Sequence, residues 1–197
     1  MHNTLYTIGY ATKPLEVFIA QLKRYSIDVI ADVRSVPYSK VFHDYHREAI
    51  AASLKRANIR YVYLGDELGP RSKNESHYNE EGQVQFDRLM QSDLFNEGIQ
   101  RLQDGLQKGF TIALMCAEKD PATCHRSLLI AYFLEHVFVQ PIAVSHIKHD
   151  GECELQNHLE NRLVELHQCG DDLFMNRDER ARQAYELQLK QTSYTRG

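Results

Sequence analysis

Short apolar runs alternate along this chain with segments in which apolar residues recur every three or four positions. The apolar runs at residues 5–8, 27–33, 59–64, 111–115 and 142–147 predict five strands. The helical spacing predicts helices near residues 15–25, 49–57, 84–106, 128–136, 155–168 and 177–190, with a break near 91–93. Thr12 fits the N-cap of the first helix, with Pro14 in its first turn.

Strands that alternate with helices are typical of βαβ units. The pattern therefore predicts a single α/β domain, a mostly parallel sheet with helices on both faces in a Rossmann-like three-layer arrangement. We place this domain at residues 1–175 and assign 176–197 to a charged C-terminal helix or tail. Residues 65–82 are polar and predict a long loop, and loops of that length are usually functional or disordered.

The composition is that of a soluble protein with one sizeable core. Of 197 residues, 43% are hydrophobic and 25% are charged. The formal net charge of −4 argues against binding nucleic acid by bulk positive charge, so such binding would need a local basic pocket. The apolar stretch at residues 128–139 is too short to span a bilayer, and we expect no membrane segment.

The cysteine count and the N-terminus bear on the cellular compartment. The first residues contain neither a basic stretch nor a following apolar run, so we expect no signal peptide. Four cysteines are sparse for a disulfide scaffold, which favours reduced thiols in the cytoplasm. The sequence leaves the cofactor and the oligomeric state undetermined.

Reactive side chains follow four of the predicted strands. In a parallel sheet, ligands bind beyond the carboxyl ends of the strands, and these ends share one edge. We therefore expect a site at this edge. Its candidate residues are Gly9 and Thr12 after the first strand, Asp32, Arg34 and Ser35 after the second, Glu67 after the third, and Cys116, Glu118, Cys124, His125 and Arg126 after the fourth.

The segment 116–127 carries the strongest local signal. Pro121 can open a helix that Asp120 or Thr123 caps, which places His125 and Arg126 in its first turn. Cations there oppose the helix dipole, and a bound anion would resolve the conflict. In the alternative interpretation, nearby acidic side chains such as Glu118 neutralise them.

Two cysteines frame this segment. Cys124, near a helix N-terminus and beside Arg126 and His125, is in a setting that lowers a thiol pKa. Cys116, at the end of a buried strand, could equally be a small core residue. The spacing matches neither the thioredoxin motif nor standard zinc motifs, so we assign no metal ligand here. A disulfide, or a redox or metal site of Cys116, Cys124 and His125, stays open as an alternative.

Asp32 and Arg34 form a second signal, because both project to one side of their strand. The planar guanidinium of Arg34 suits a phosphate or a carboxylate. A buried ion pair that organises the loop is the alternative, and the two are compatible. Gly9 would let a ligand approach the backbone.

Four segments of the chain resemble the DUF488 family of bacterial and archaeal proteins of unknown function. They are Tyr6-Thr-Ile-Gly-Tyr-Ala-Thr12, Asp32-Val-Arg-Ser-Val-Pro-Tyr-Ser39, Tyr61-Val-Tyr-Leu-Gly-Asp-Glu-Leu-Gly69 and Leu114-Met-Cys-Ala-Glu-Lys-Asp-Pro-Ala-Thr-Cys-His-Arg126. Family members often have His after the first-strand glycine, where this chain has Tyr10. The resemblance implies an α/β fold and a site built from these segments, but no reaction.

The leading hypothesis is an enzyme that acts on an anionic, phosphate-bearing or nucleotide-like substrate. Arg34 and Arg126 would bind the anion, together with Gly9, Thr12, Ser35 and Glu67. Cys124 or Cys116 would supply a thiol, Glu118 or His125 would be the acid or base, and Asp32 would complete the catalytic set. The alternatives are a non-catalytic nucleotide or nucleic-acid binding module, the redox or metal site, and sulfur transfer.

Overall fold

A computed structural model describes residues 4–171 and 175–196. Residues 1–3, where the segment assessed for a signal peptide begins, lie outside the described residues. All five predicted strands are confirmed: β1 Leu5–Gly9, β2 Val29–Asp32, β3 Arg60–Tyr63, β4 Ile112–Cys116 and β5 Val144–Ile147. They pair in parallel within one sheet of order β3-β2-β4-β1-β5-β6.

A sixth strand, β6 Cys153–Leu155, pairs antiparallel with β5 and was not predicted. It has three residues, of which Glu154 is charged, so it produces no apolar run. Backbone pairing with β5, which only the folded chain provides, decides its conformation.

Helices cover both faces of the sheet, as predicted. On one face, α1 Leu15–Arg24 and α2 Arg47–Arg56 pack their apolar residues against Ile30 and Met115. On the other face, α4 Phe86–Met90, α5 Asp93–Gln107, α6 Gln156–Leu166 and α7 Arg177–Thr192 share a larger core with Leu114 and Cys116. Successive β4 residues alternate between the two cores because side chains of a strand point to opposite faces.

Three local predictions need correction. Thr12 is not the N-cap of α1: its φ is 61°, its Oγ1 lies 3.1 Å from Nε2 of His149, and the helix begins only after Pro14. The loop predicted at 65–82 contains the short helix α3 Gly65–Leu68 and the 3₁₀ turn Glu75–His77. Both are too short to show periodicity. The helix predicted near 128–136 consists of two π-helical segments, Arg126–Ala131 and Phe133–Val137.

The C-terminal helix α7 packs against the rest of the fold. Asn176 and Glu179 form a capping box at its start. Tyr185 donates a hydrogen bond to the Leu128 carbonyl, and Gln188 donates one to the Ala122 carbonyl at 2.6 Å. The helix thus braces the segment after β4. Among the described residues, no helix combines the length and apolar character needed to cross a membrane.

The connections around β4 open a crevice at the carboxyl edge of the sheet. β4 lies between β2 and β1. The helices after β1 and β2 pack on one face, whereas the π-helical segments after β4 pack on the other. Chains that leave adjacent strands toward opposite faces separate at the edge, and ligands bind at such points in α/β sheets.

A buried polar chain ties this edge to the middle of the sheet. Nε of Arg126 donates to Oγ1 of Thr7 at 3.2 Å, Thr7 lies 2.8 Å from Nδ1 of His146, and Nε2 of His146 lies 2.8 Å from Oε1 of Gln156. Burial and the positive charge of Arg126 lower the pKa of His146 to about 4. The imidazole is therefore neutral, with Nδ1 as acceptor and Nε2–H as donor.

We expect His146 to make the fold acid-sensitive. In the unfolded chain the pKa of this histidine is about 6.5. Between pH 6.5 and pH 4, roughly, only the unfolded state binds the proton, so the free energy of unfolding falls as the pH falls. The full loss is about 3 kcal/mol from this group. His146→Asn should flatten the free energy of unfolding over that range, as measured by urea denaturation, whereas the exposed His158→Asn should keep the wild-type slope. Equal slopes in all three proteins would contradict the assignment.

Candidate active site

Four reactive side chains converge beyond the carboxyl end of β4. One ligand atom each from Cys116, Glu118, Cys124 and His125 lies within 4.8 Å of the other three. Oε2 of Glu118 is 2.8 Å from Sγ of Cys116 and 2.9 Å from Sγ of Cys124. Nδ1 of His125 lies 3.8 Å from each sulfur. We call these four residues the thiol cluster, and both cysteines in it are free thiols.

The local sequence folds the segment back so that the two cysteines meet. Cys116 ends β4, and the Asp120 side chain accepts from the Ala122 N–H at 2.9 Å to cap the 3₁₀ turn Pro121–Thr123. Pro121 opens that turn, as predicted, but the turn ends at Thr123, so His125 and Arg126 do not lie in its first turn. The turn returns the chain to β4, and the π-helical segment then begins at Arg126.

The orientation of His125 is set by the neighbouring strand. Its Nε2 lies 2.9 Å from the carbonyl oxygen of Val33, just past β2. A carbonyl only accepts, so Nε2 carries the hydrogen and Nδ1 is directed to the two sulfurs. Backbone geometry thus fixes which imidazole nitrogen enters the cluster.

The cluster separates the acidities of its two thiols. Burial raises the pKa of Cys116, and its contact with Cys124 raises it further. Burial also opposes ionisation of Cys124, but hydrogen bonding from Cys116 and the charges of Arg126 and His125 hold its pKa well below the ordinary value. The pKa of His125 is raised because its hydrogen bond to Cys124 outweighs burial. Of the two thiols, Cys124 is therefore the one that ionises first.

The carboxyl group of Glu118 holds its proton more tightly than an ordinary carboxyl group, whereas the thiol of Cys124 loses its proton more readily than an ordinary thiol. Burial and the charge of Cys124 raise the pKa of its carboxyl group. A raised pKa makes a carboxyl group more able to hold a proton and pass it on, which suits it to acid–base chemistry. The cluster thus combines a thiolate, a thiol, an imidazole and a carboxyl group of shifted acidity.

An open cavity of about 400 Å³ lies over the cluster. Cys116, Glu118 and His125 form part of its lining, whereas Cys124 lies behind them and is 1% exposed. The other lining residues come from the segments after β1, β2 and β4, the 70–86 region and the C-terminus: Tyr10, Arg34, Ser35, Val36, Tyr38, Ser39, Pro70, Arg71, Phe86, Ala117, Thr123, Leu128, Thr192 and Tyr194.

Arg34 lines this cavity and is held in place by hydrogen bonds to buried neighbours. It donates to both carboxylate oxygens of Asp32, at 2.8 and 2.6 Å, and to the Tyr45 carbonyl at 2.9 Å. Asp32 also accepts from the Tyr61 hydroxyl at 2.6 Å. Burial disfavours the charge of Arg34, but the Asp32 carboxylate raises its pKa above the ordinary value. Asp32 is fully buried, so its observed role is to hold Arg34.

Arg126 occupies a different position from Arg34. It is fully buried, and its acceptors are Thr7 Oγ1 and the carbonyls of Glu118, at 2.8 Å, and Lys119, at 3.5 Å. The structure therefore places it behind the loop after β4, where it fixes that loop. Arg34 lines the cavity, whereas Arg126 does not.

The other predicted residues are divided between the cavity and its surroundings. Ser35 lines the cavity and accepts from the Arg71 N–H at 3.1 Å. Glu67 forms an ion pair with Arg101 and lines a neighbouring hollow. The loop after β4 approaches the backbone of Gly9 closely, because a β-carbon at Gly9 would lie 1.9 Å from the Glu118 carbonyl oxygen. The absence of a side chain there makes room for the protein's own backbone. Thr12 contacts His149 and stands outside the cavity lining.

Several residues that line the cavity are absent from the set of site residues predicted from the sequence. Tyr10 stacks on Tyr45 at 4.2 Å between ring centroids. Arg71 lies 4.6 Å over the ring of Tyr194, so the C-terminus forms part of the wall. Arg71 belongs to the polar stretch 65–82, which the sequence predicts to be a long loop. Nothing in the local pattern marked Tyr194.

Fold and site together define an α/β protein with a reactive thiol cluster at the carboxyl edge of a mostly parallel sheet. Residues 14–133 match the family described as "Domain of unknown function DUF488", which is more than half of the chain. The chain belongs to that family, and the match includes three of the four resembling segments; the first, Tyr6–Thr12, lies before it. Comparison with the curated proteins and with the solved structures gave no match.

We expect Gly9→Ala to destabilise the protein by roughly 3 kcal/mol or more, at the upper end of overpacking costs. The added carbon meets a backbone oxygen held by Arg126, so neither side can move aside cheaply. Urea denaturation measures the change. Gly170→Ala is the control, because a β-carbon there has no heavy atom of the other described residues within 4 Å, its chain neighbours aside, and its effect should stay within about 0.5 kcal/mol. Equal stabilities would contradict this account of Gly9.

We expect the chelator-treated, reduced protein to show the ultraviolet absorbance of about one thiolate at neutral pH. Ordinary cysteines ionise near about 8.5, but the pKa of Cys124 lies well below its usual value. Cys124→Ser should abolish this absorbance, and Cys153→Ser, on an exposed strand, should retain it. An absorbance that rises only above about pH 8 would disprove the thiolate.

Proposed function

We propose that this protein is an enzyme that acts on a small substrate with an anionic group, bound in the cavity over the thiol cluster. One observation carries the proposal. Four side chains capable of proton transfer or thiol chemistry meet within 4.8 Å, and three of them line an open cavity whose wall contains Arg34 and Arg71. A cavity with convergent polar groups and shifted pKa values is the general signature of an active site.

The two arginines would hold the anionic group. Arg34 is 4% exposed and preorganised by Asp32, so it loses little freedom when a ligand binds. Arg71 is exposed and stacks on Tyr194, and its backbone is held by Ser35. A planar guanidinium suits carboxylate and phosphate groups alike. Ser39 adds a hydroxyl donor to the same wall, because its oxygen accepts from the Val41 and Phe42 N–H groups and keeps its own hydrogen.

The chemical step would take place at the floor of the cavity. Glu118 is suited to move a proton, because its carboxyl group lines the cavity and its pKa is raised. Cys116 is the thiol presented to the cavity, and Cys124 supplies negative charge from behind it. A protein that merely binds anions would need the arginines but not this cluster, which favours an enzyme over a binding module.

We expect Arg71→Ala to weaken binding of an anionic probe by roughly 10–100-fold, the equivalent of one charge-assisted hydrogen bond. Inorganic phosphate, adenosine monophosphate and succinate serve as probes in calorimetric titrations. Arg182→Ala is the control, since Arg182 is exposed on α7 and pairs with Glu186. If none of the probes binds, or if both variants bind like the wild type, the anion site is misplaced.

Turnover distinguishes the enzyme from a binding module. A panel of p-nitrophenyl phosphates, sulfates and carboxylate-bearing esters should include a substrate whose cleavage falls at least about 100-fold in Glu118→Gln, which is the range of one general acid or base. Glu186→Gln on the surface of α7 should leave that rate unchanged. Binding of anions without turnover of any panel member would favour the non-catalytic module.

A further inference from the structure

We propose that the thiol cluster is a binding site for a divalent transition metal ion, of which Zn²⁺ fits best. Cys116, Cys124 and Nδ1 of His125 are its three fixed ligands, and Glu118 fills the fourth position when no substrate is bound. The inference rests on the proposed function in one respect only, that a substrate can approach the metal ion from the cavity. The metal site itself stands on the arrangement of the four side chains.

The separations of the ligand atoms suit a tetrahedral ion. With metal–sulfur bonds of about 2.3 Å and metal–nitrogen bonds of about 2.0–2.1 Å, a tetrahedral site places sulfur and nitrogen about 3.6 Å apart. Nδ1 of His125 lies 3.8 Å from both sulfurs. Both nitrogen–sulfur separations thus need to shorten by only a few tenths of an ångström.

Glu118 must move further than the other ligands. A tetrahedral ion would hold its oxygen about 3.6 Å from each sulfur. The observed separations are 2.8 and 2.9 Å, which are hydrogen-bond distances between a carboxyl group and thiols. Its retreat by roughly 0.7 Å, estimated from the same bond lengths, is the main rearrangement on metal binding.

The surroundings of His125 are those of a metal ligand. Histidines that bind metals typically donate their other ring N–H to a carbonyl or carboxylate group, which fixes the ring and increases ligand basicity. Nε2 of His125 is 2.9 Å from the Val33 carbonyl oxygen. The nitrogen that remains is the one directed between the two sulfurs.

The charge of Arg126 is balanced by such a centre. This guanidinium is fully buried and donates to three neutral oxygens, and its charge lowers the pKa values of the Asp120 carboxyl group and the Cys124 thiol. A buried charge is costly unless a counter-charge lies nearby. Two thiolates and one carboxylate around a divalent ion carry one excess negative charge, which Arg126 would neutralise. Soft thiolates with imidazole select zinc over magnesium or calcium.

Metal binding here is an exchange of protons for a cation, without oxidation. Metal–sulfur bonds form at Cys116 and Cys124, and a metal–nitrogen bond forms at His125. The Cys116 thiol and the Cys124–His125 pair release their protons to solvent, and any proton on Glu118 leaves as well, because the bound ion requires the carboxylate. Because Cys116, Glu118 and His125 line the cavity and Cys124 lies behind, the Glu118 position is the one that a substrate atom or water could take.

Titration of Co²⁺ into the full-length, chelator-treated and reduced protein tests the site. We expect about one equivalent to bind, with sulfur-to-cobalt charge-transfer bands and visible bands of a tetrahedral centre. Zn²⁺ should displace the Co²⁺ and bleach both. Cys116→Ser and Cys124→Ser should weaken binding beyond the roughly 10–100-fold typical for loss of a hydrogen-bond partner behind a ligand.

The remaining cysteines provide matched controls. The double variant Cys153→Ser/Cys169→Ser keeps only the two cluster thiols and should give the full wild-type bands, a result that requires no substitution in the cluster. Arg71→Ala should also keep them, so failure of the anion site and failure of the metal site are distinguishable. Absence of the bands in protein whose thiols are shown to be reduced, or bands that survive in both cluster variants, would overturn the proposal.

Discussion

The buried guanidinium of Arg126 is the interaction on which the site depends. It joins the middle of the sheet, through Thr7, to the loop after β4, through the carbonyls of Glu118 and Lys119. Gly9 makes this possible, because only a residue without a side chain lets that loop approach β1 so closely. The same charge lowers the pKa of the Cys124 thiol. One side chain thus determines both where the loop lies and how the cluster ionises.

The site is assembled from three strand ends with different tasks. The end of β4 supplies Cys116 and Glu118, and the segment past β2 supplies both the cavity-facing Arg34 and the carbonyl of Val33 that orients His125. The segment after β1 supplies Tyr10, whose ring lies 5.1 Å from the Arg34 guanidinium. These ends adjoin because the strand order places β4 between β2 and β1. The cavity is therefore a consequence of topology, with α7 and Tyr194 closing it from the other side.

The proposed enzyme and the proposed metal centre describe one chemistry. Ionised thiols can serve as ligands, and a divalent ion beside an arginine-lined cavity would bind and polarise an anionic substrate. Glu118 connects the two roles, because it touches both sulfurs and also lines the cavity. The standard zinc spacings are absent here since the ligands come from a strand end and from the turn before a π-helical segment.

The positions of five strands and most helices, and the sheet edge that holds the candidate residues, are predictable from the sequence. Hydrophobic periodicity marks the elements, and their order along the chain indicates a parallel sheet. It also singled out Cys116, Glu118, Cys124 and His125 as a group. Only the tertiary structure decided that Arg126 faces inward while Arg34 faces the cavity, that Gly9 accommodates the Glu118 carbonyl, and that Arg71 and Tyr194 meet. The direction of a side chain and the contact of segments 123 positions apart depend on long-range packing, which no local pattern records.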